Sequence, residues 1–290
     1  VEKKNIGIIG NGFVGSAIAA GFALHANVKV FDSDNKRSIN SLYETVNGSN
    51  FIFISVPTPM KHANGAEIDL RILDSVINDI VNVEKDSEFS YDSVYFIIKS
   101  TVIPGTVERY EKQYPFMNFV FNPEFLTERS ANLDFINSAR IVLGGNASDV
   151  EIVSNLYRDR FKHTKIIKTD FKSAEFIKYM CNCFFATKIS YMNEMFSAAK
   201  KLGCNWDDVM NGFMSDGRIG NSHTDVPGHD GDFGFGGKCF PKDINAFISF
   251  FNDINESPIM LTATWEKNKE VRKDIDWATI EGAVSSEEKE

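Results

Sequence analysis

A single thiol, Cys239, sits in the stretch GFGGKCFPKD, residues 234–243. Gly234, Gly236 and Gly237 precede it, and Pro241, Lys242 and Asp243 follow. The thiolate is the nucleophilic form of cysteine, and nearby cations such as Lys238 and Lys242 favour it. The glycines leave a side-chain-free backbone that can lie close to a ligand. This surrounding points to a reactive thiol rather than a packing one. Free cysteines are more often inert buried hydrophobes, and that reading is kept for Cys181, Cys183 and Cys204.

A second pattern lies near the start of the chain. Gly10, Gly12 and Gly15 form G-x-G-x-x-G, with Phe13 and Val14 in the last gap, directly after an apolar run. Asp32 closes the next apolar run about 20 residues on. The first glycine permits a tight turn, and the second lets the backbone approach a pyrophosphate seated on a helix N-terminus. Asp32 accepts hydrogen bonds from a ribose 2′-hydroxyl and repels a 2′-phosphate. Arg37 would favour that phosphate, but Asp32 outweighs it, so NAD is the expected cofactor.

Further candidates are dispersed. SVPTPM carries Thr58, and KSTVIPGT carries Ser100 and Thr101, both after predicted strands, where open α/β sheets bind ligands. Hydroxyls in such turns equally serve the turn itself. NPEFLTERS, residues 122–130, places Glu124 and Glu128 on an expected short helical turn. Lys178 and Asn182 are four apart on a predicted helix and share a face. A lysine on an apolar helix ordinarily snorkels to water, but its partner here is an amide and not an acid. Arg218 lies in DGRIG ahead of the cysteine loop. His223, His229, Asp230 and Asp232 in that loop suggest a metal site. A flexible loop lacking a third ordered ligand does not preorganise one, so no metal is expected.

The elements that must position these groups follow from periodicity. Residues 6–10, 28–31, 51–55, 94–100, 119–121 and 140–145 read as short strands, apolar on both faces and alternating with amphipathic stretches. That is the signature of a parallel sheet covered by helices. After residues 164–170 the period becomes helical, with neither Gly nor Pro from Phe171 to Lys201. A shorter helix over WDDVMNGFM follows, capped by Asn205 or Asp207. The loop SDGRIGNSHTDVPGHDGDFGFGG has no regular period, and the tail AVSSEEKE is expected to fray. The expected fold is therefore α/β: a Rossmann-like, mostly parallel sheet over residues 1–169, an all-α domain over 170–260 holding the cysteine loop, and the start of a connecting helix with the tail over 261–290.

Bulk properties narrow the function. The 290 residues carry a net charge of −9, which argues against broad nucleic-acid or anionic-membrane binding. No apolar run reaches membrane-spanning length. The start VEKKNIGIIG shows no signal peptide, and the four cysteines have no zinc spacing, so reduced thiols in a cytoplasm are expected.

Taken together, GNGFVG, VPTP, KSTVIPGT, NPEFLTE, AEFIKYMCN and GFGGKCFPKD resemble the UDP-glucose/GDP-mannose dehydrogenase family over nearly the whole chain. The resemblance implies oxidation of a primary alcohol, carbon six of a nucleotide-linked hexose, to a carboxylate with two NAD; UDP-glucose is the foremost candidate. It makes Cys239 the nucleophile of a thiohemiacetal and thioester path. It gives Asp243 and Thr101 a catalytic water, Glu128 acid/base work, and Lys178 with Asn182 the stabilisation of an oxyanion. Glu124, Arg218, His223 and Gly236 become substrate contacts, and Lys242, Thr58 and Asp32 cofactor contacts. It also implies a homodimer through the helical domain, with the 171–201 helix central and Arg218 near the partner's site. Longer relatives carry a third α/β domain after the point where this sequence ends, and the 216–235 loop is longer than theirs. Two other readings stay open: a two-domain hydroxyacid dehydrogenase with one hydride transfer, and a non-catalytic NAD or sugar-nucleotide binding module.

Overall fold

A computed structural model describes residues 3–63, 65 and 67–285. Two compact units are present. One comprises the chain up to Thr58 together with Leu70–Lys178; the other comprises Pro59–Asp69 and the chain from Tyr179 on.

The first unit contains strands β1 (Lys4–Ile9), β2 (Ala26–Phe31), β3 (Phe51–Ile54), β4 (Tyr95–Ile98), β5 (Asn118–Phe121), β6 (Arg140–Gly145) and β7 (Lys165–Thr169). Their order is β2-β1-β3-β4-β5-β6-β7, parallel throughout except for the antiparallel β5–β6 pair. β7 escapes the periodicity because its KIIKT sequence is only half buried. Helices α1 (Phe13–Phe22), α2 (Leu42–Asn47), α3 (Arg71–Asn82), α4 (Thr106–Gln113), α5 (Ala131–Ile136) and α6 (Ala147–Arg160) belong to the same unit, as do residues 171–178 at the start of the next helix. Strand side chains alternate between two cores. Ile6, Ile8, Phe53, Ile97, Val120 and Leu143 pack into one, and Ile9, Ile52, Ile54, Phe96, Phe119 and Val142 into the other. This is why the strands read as continuous apolar runs. Burying each such side chain is worth about 1.5–3 kcal/mol.

Helix α7 (Phe171–Leu202) runs unbroken for 32 residues. The Asp170 carboxylate accepts from Ser173 N at 2.9 Å and starts it. Gly203, at φ +76°, ends it with bonds back to Lys200 O and from Cys204 N to Ala199 O. The second unit continues with α8 (Trp206–Met214), α9 (Phe240–Asp253) and α10 (Ile259–Val271). Asn205, not Asp207, caps α8, accepting from Asp207 N and Asp208 N. Residues 215–239 form neither helix nor strand.

Three expectations need correction. The connecting helix stops at Val271, where Arg272 turns extended. The tail is not frayed over Ala283–Ser285: Ala283 is fully buried, and Met60 exchanges backbone bonds with Ala283 O and Ser285 N. Residues 286–290 of that tail lie outside the described residues. The VPTPM turn also leads further than a turn, because Pro59–Asp69 belongs to the second unit, where Trp277 Nε1 donates to Ala63 O at 3.0 Å.

Candidate active site

In the first unit the glycine turn joins β1 to α1. Gly10 takes φ +91°, a conformation costly for other residues. A Cβ on Gly15 would lie 1.9 Å from Gly10 O, so this position requires glycine for close packing, whereas open space faces Gly12. Gly12 is the N-cap of α1 and no side chain caps it, leaving first-turn N–H groups for an anion. Asp32 ends the neighbouring region. Its carboxylate accepts from Asn11 N at 2.6 Å and Asp34 N at 2.8 Å, and Asn11 Nδ2 donates to Arg37 O. The acid is thereby fixed to the glycine turn. Arg37 faces Asp34 at 3.5 Å. An uncapped helix end, a side-chain-free cradle and a fixed carboxylate fit a dinucleotide.

The two hydroxyl turns are tied to one another. Thr58 Oγ1 donates to Thr101 O at 2.8 Å, and Ser100 Oγ donates to Val56 O at 2.7 Å. Both hydrogens serve the main chain, while the hydroxyl oxygens keep acceptor capacity.

Lys178 does not snorkel. It is buried, and its Nζ donates to Glu124 O at 2.6 Å and to Glu124 Oε1 at 2.9 Å. Glu124 lies in irregular chain before the 3₁₀ turn of Glu128–Ser130, so the expected helical turn holds only Glu128, which is exposed. Beside this pair stands Lys99, the first residue of KSTVIPGT, a motif read above only for Ser100 and Thr101. It is buried at the end of β4, and Nζ donates to Asn122 Oδ1 at 3.0 Å and Pro123 O at 3.4 Å. Burial pushes its amine down to about 7; Glu124 pulls it back up and Lys178 adds to the fall. The available signal was a lysine inside VYFIIKS, a run with no solvent face. Lys99, Asn122, Glu124, Phe125, Arg140 and Tyr157 line a cavity of about 380 Å³ in this unit.

The remaining candidates lie in the second unit. Cys239 is half-buried at the N-cap of α9, with Pro241 in the first turn. Asp243, almost fully buried, accepts from Asn182 Nδ2 at 2.5 Å on one oxygen and from Lys242 Nζ on the other. Lys242, an expected cofactor contact, is thus engaged by Asp243. Lys178 and Asn182, expected as one pair, have separate acceptors, Glu124 and Asp243 respectively. Arg218 is exposed and forks onto Asp216. His223 adopts φ +63° and stacks on Phe185 at 4.3 Å; burial, then Lys188 and His229, hold its imidazole below the usual range. Gly236 is packed so closely that a Cβ would lie 2.3 Å from Arg272 Nη2. Of the other cysteines, Cys183 is buried with its thiol pushed up by burial, but Cys204 is exposed and Cys181 half-buried, contrary to the expectation for those two.

Comparison with known proteins gives this arrangement its family. Residues 37–161 match the NAD binding domain of the UDP-glucose/GDP-mannose dehydrogenase family, and residues 172–270 match that family's central domain. The chain is 32% identical to a UDP-glucose 6-dehydrogenase of Rickettsia conorii, over 92% of this chain and 67% of that protein. A UDP-glucose dehydrogenase structure from Pyrobaculum islandicum superposes with a TM-score of 0.77 at 26% identity, covering 93% of this chain and 68% of that one. A Mycobacterium tuberculosis 3-hydroxyisobutyrate dehydrogenase shares the fold, with a TM-score of 0.71 at 17% identity and coverage of 94% and 97%. The chain belongs to the UDP-glucose/GDP-mannose dehydrogenase family, and is an NAD-binding oxidoreductase of the nucleotide-sugar dehydrogenase kind. It spans about two thirds of the length of the curated relatives it matches. Among the described residues no helix is long and apolar enough to cross a membrane.

Proposed function

We propose that the chain carries out the four-electron oxidation of a nucleotide-linked hexose, UDP-glucose foremost, to the uronate through a covalent adduct on Cys239. The observation that carries this reading is the half-buried Cys239 at the first turn of α9, followed one turn later by a buried Asp243 held by Asn182 and Lys242. A helix N-terminus favours the negative charge of a thiolate. NAD, when bound at the glycine turn and Asp32, supplies the hydride acceptor for both oxidations. Cys239 Sγ adds to the carbon-six aldehyde, and the oxidised adduct is a thioester. Asn182 and Lys178 donate to the oxygen that becomes anionic. Asp243 and Thr101 orient the water that releases the acid, and Glu128 moves the proton. Glu124, Arg218, His223 and Gly236 bind sugar or diphosphate; Phe13, Val14, Thr58 and Lys242 support the cofactor. Functionally we divide the chain into a cofactor domain (1–169), a catalytic helical domain (170–260) and a closing segment (261–290), acting as a cytoplasmic homodimer.

The test is stoichiometry. Purified protein with NAD and UDP-glucose is expected to give two NADH per sugar and a uronate. Cys239→Ser is expected to lower steady-state turnover by orders of magnitude while NAD still binds. One NADH per sugar with free aldehyde released would instead favour the single-hydride reading, which has the shared fold of the 3-hydroxyisobutyrate dehydrogenase in its support. NAD or sugar-nucleotide binding without turnover would leave the binding module.

A further inference from the structure

Arg272 lies just past α10, in the stretch expected to begin a connecting helix, yet its side chain is 3% exposed. Its guanidinium is used on every edge. Nη1 meets Asp230 Oδ2 at 2.9 Å, Nη2 meets Asp276 Oδ2 at 3.3 Å, and Nε donates to Asp274 O at 2.8 Å. Asp276 in turn accepts from Gly237 N, at 3.2 and 3.0 Å to its two oxygens. The glycine turn lies flat on this pair, since a Cβ at Gly236 would sit 2.3 Å from Arg272 Nη2 and 2.4 Å from Asp276 Oδ1. Upstream, fully buried Asn268 brackets Phe235, accepting from its N–H at 2.7 Å and donating to its carbonyl at 2.9 Å. Asn193 Oδ1 accepts from Gly234 N at 3.2 Å. The backbone leading to Cys239 is thus held at Gly234, Phe235 and Gly237. The loop stretch VPGHDGD contributes Asp230 to the brace, and Asp232 accepts from Asp274 N at 3.2 Å.

We propose that the Asp230–Arg272–Asp276 triad is a positioning device that holds the glycine turn and, through it, sets the place of the Cys239 thiol. The proposal rests on the reading of Cys239 as the nucleophile. Rigid placement matters because a nucleophile displaced by about 1 Å loses on the order of a hundredfold in rate. Only an arginine fork meets three acceptors in one plane. Without it, the carboxylates of Asp230 and Asp276 repel, and Gly237 N loses a fixed acceptor.

The experiment compares wild type with Arg272→Met, Arg272→Lys and the double variant Asp230→Asn/Asp276→Asn. Three quantities are read: the aldehyde-consuming half-reaction, the NAD dissociation constant, and the rate of Cys239 alkylation by iodoacetamide, followed by peptide mass with Cys204 as internal reference. Arg272→Met is expected to slow the aldehyde half at least about thirtyfold in kcat, with the NAD constant unchanged and Cys239 alkylation altered at least about tenfold relative to Cys204. Arg272→Lys should not restore either. If Arg272→Met does not fold, the double variant, which removes both charges and leaves each side chain one acceptor oxygen beside an amide donor, is expected to move both quantities in the same direction. Wild-type values of kcat and alkylation in a folded Arg272→Met, or in the double variant, overturn the proposal. If the wild type oxidises no nucleotide sugar, the functional reading fails by itself, and the alkylation ratio still decides the brace.

Discussion

Lys178 and Glu124 form a buried ion pair, with side chains 3% and 7% exposed. Removing one partner of such a pair strands the other charge in a poorly solvated site, at about 3–5 kcal/mol. Lys178→Met and Glu124→Gln are each expected to cost that much in chemical denaturation, and the double variant less than their sum. Strict additivity would deny the pairing. Lys99 beside them makes a pH prediction. Its folded value, about 7, lies below the 10.5 of an unperturbed lysine, so between those values the folded chain binds fewer protons than the unfolded one. Its contribution to stability therefore rises with pH across that window. Denaturation midpoints of Lys99→Met measured from pH 7 to 9 are expected to lack this rise relative to wild type.

At the scale of elements, α4 begins at Gly105 without a capping side chain of its own. Glu175, on α7, supplies the cap, accepting from Gly105 N at 2.6 Å and Val107 N at 2.9 Å. Burial pushes its carboxyl up to about 7, against the pull of those two donors. Here the sign is opposite to that of Lys99. From about 4.5 to about 7 the folded state binds more protons, so stability falls as pH rises through that window, by roughly 3 kcal/mol at most. Glu175→Gln is expected to lose one cap bond at pH 5 and to abolish the decline between pH 5 and 8. A parallel fall in mutant and wild type would exclude Glu175 as its source.

At the scale of the molecule, α7 presents an apolar face to solvent. Phe176, Met180 and Phe184 follow at intervals of four, with Tyr191 seven further on, and Phe184 and Met180 are 62% and 61% exposed. Such contiguous apolar surface marks an interaction site, and a second copy of the chain is the occupant in the proposed dimer. Sedimentation at assay concentration is expected to show a dimer, and Phe184→Asp with Tyr191→Asp a monomer of unchanged helicity. A fully active wild-type monomer would remove the dimer from the mechanism.

The alternating sheet, the long helix from Phe171, the glycine turn with Asp32 and the cysteine loop are legible in the sequence alone. Each of these is written locally: in period, in turn chemistry, or in a motif whose residues are neighbours in the chain. What it left out depends on partners far apart along the chain. Nothing near Lys99 or Glu175 in sequence shows that the first faces Asn122 and the second the start of α4. The antiparallel turn of β6 and the docking of 283–285 on Met60 are likewise pairings at long range. Lys178 and Asn182 share a helix face by spacing alone, but which acid each one meets was decided by tertiary structure. An ion's partner is set by the packing that removes its water, and packing is a property of the folded chain.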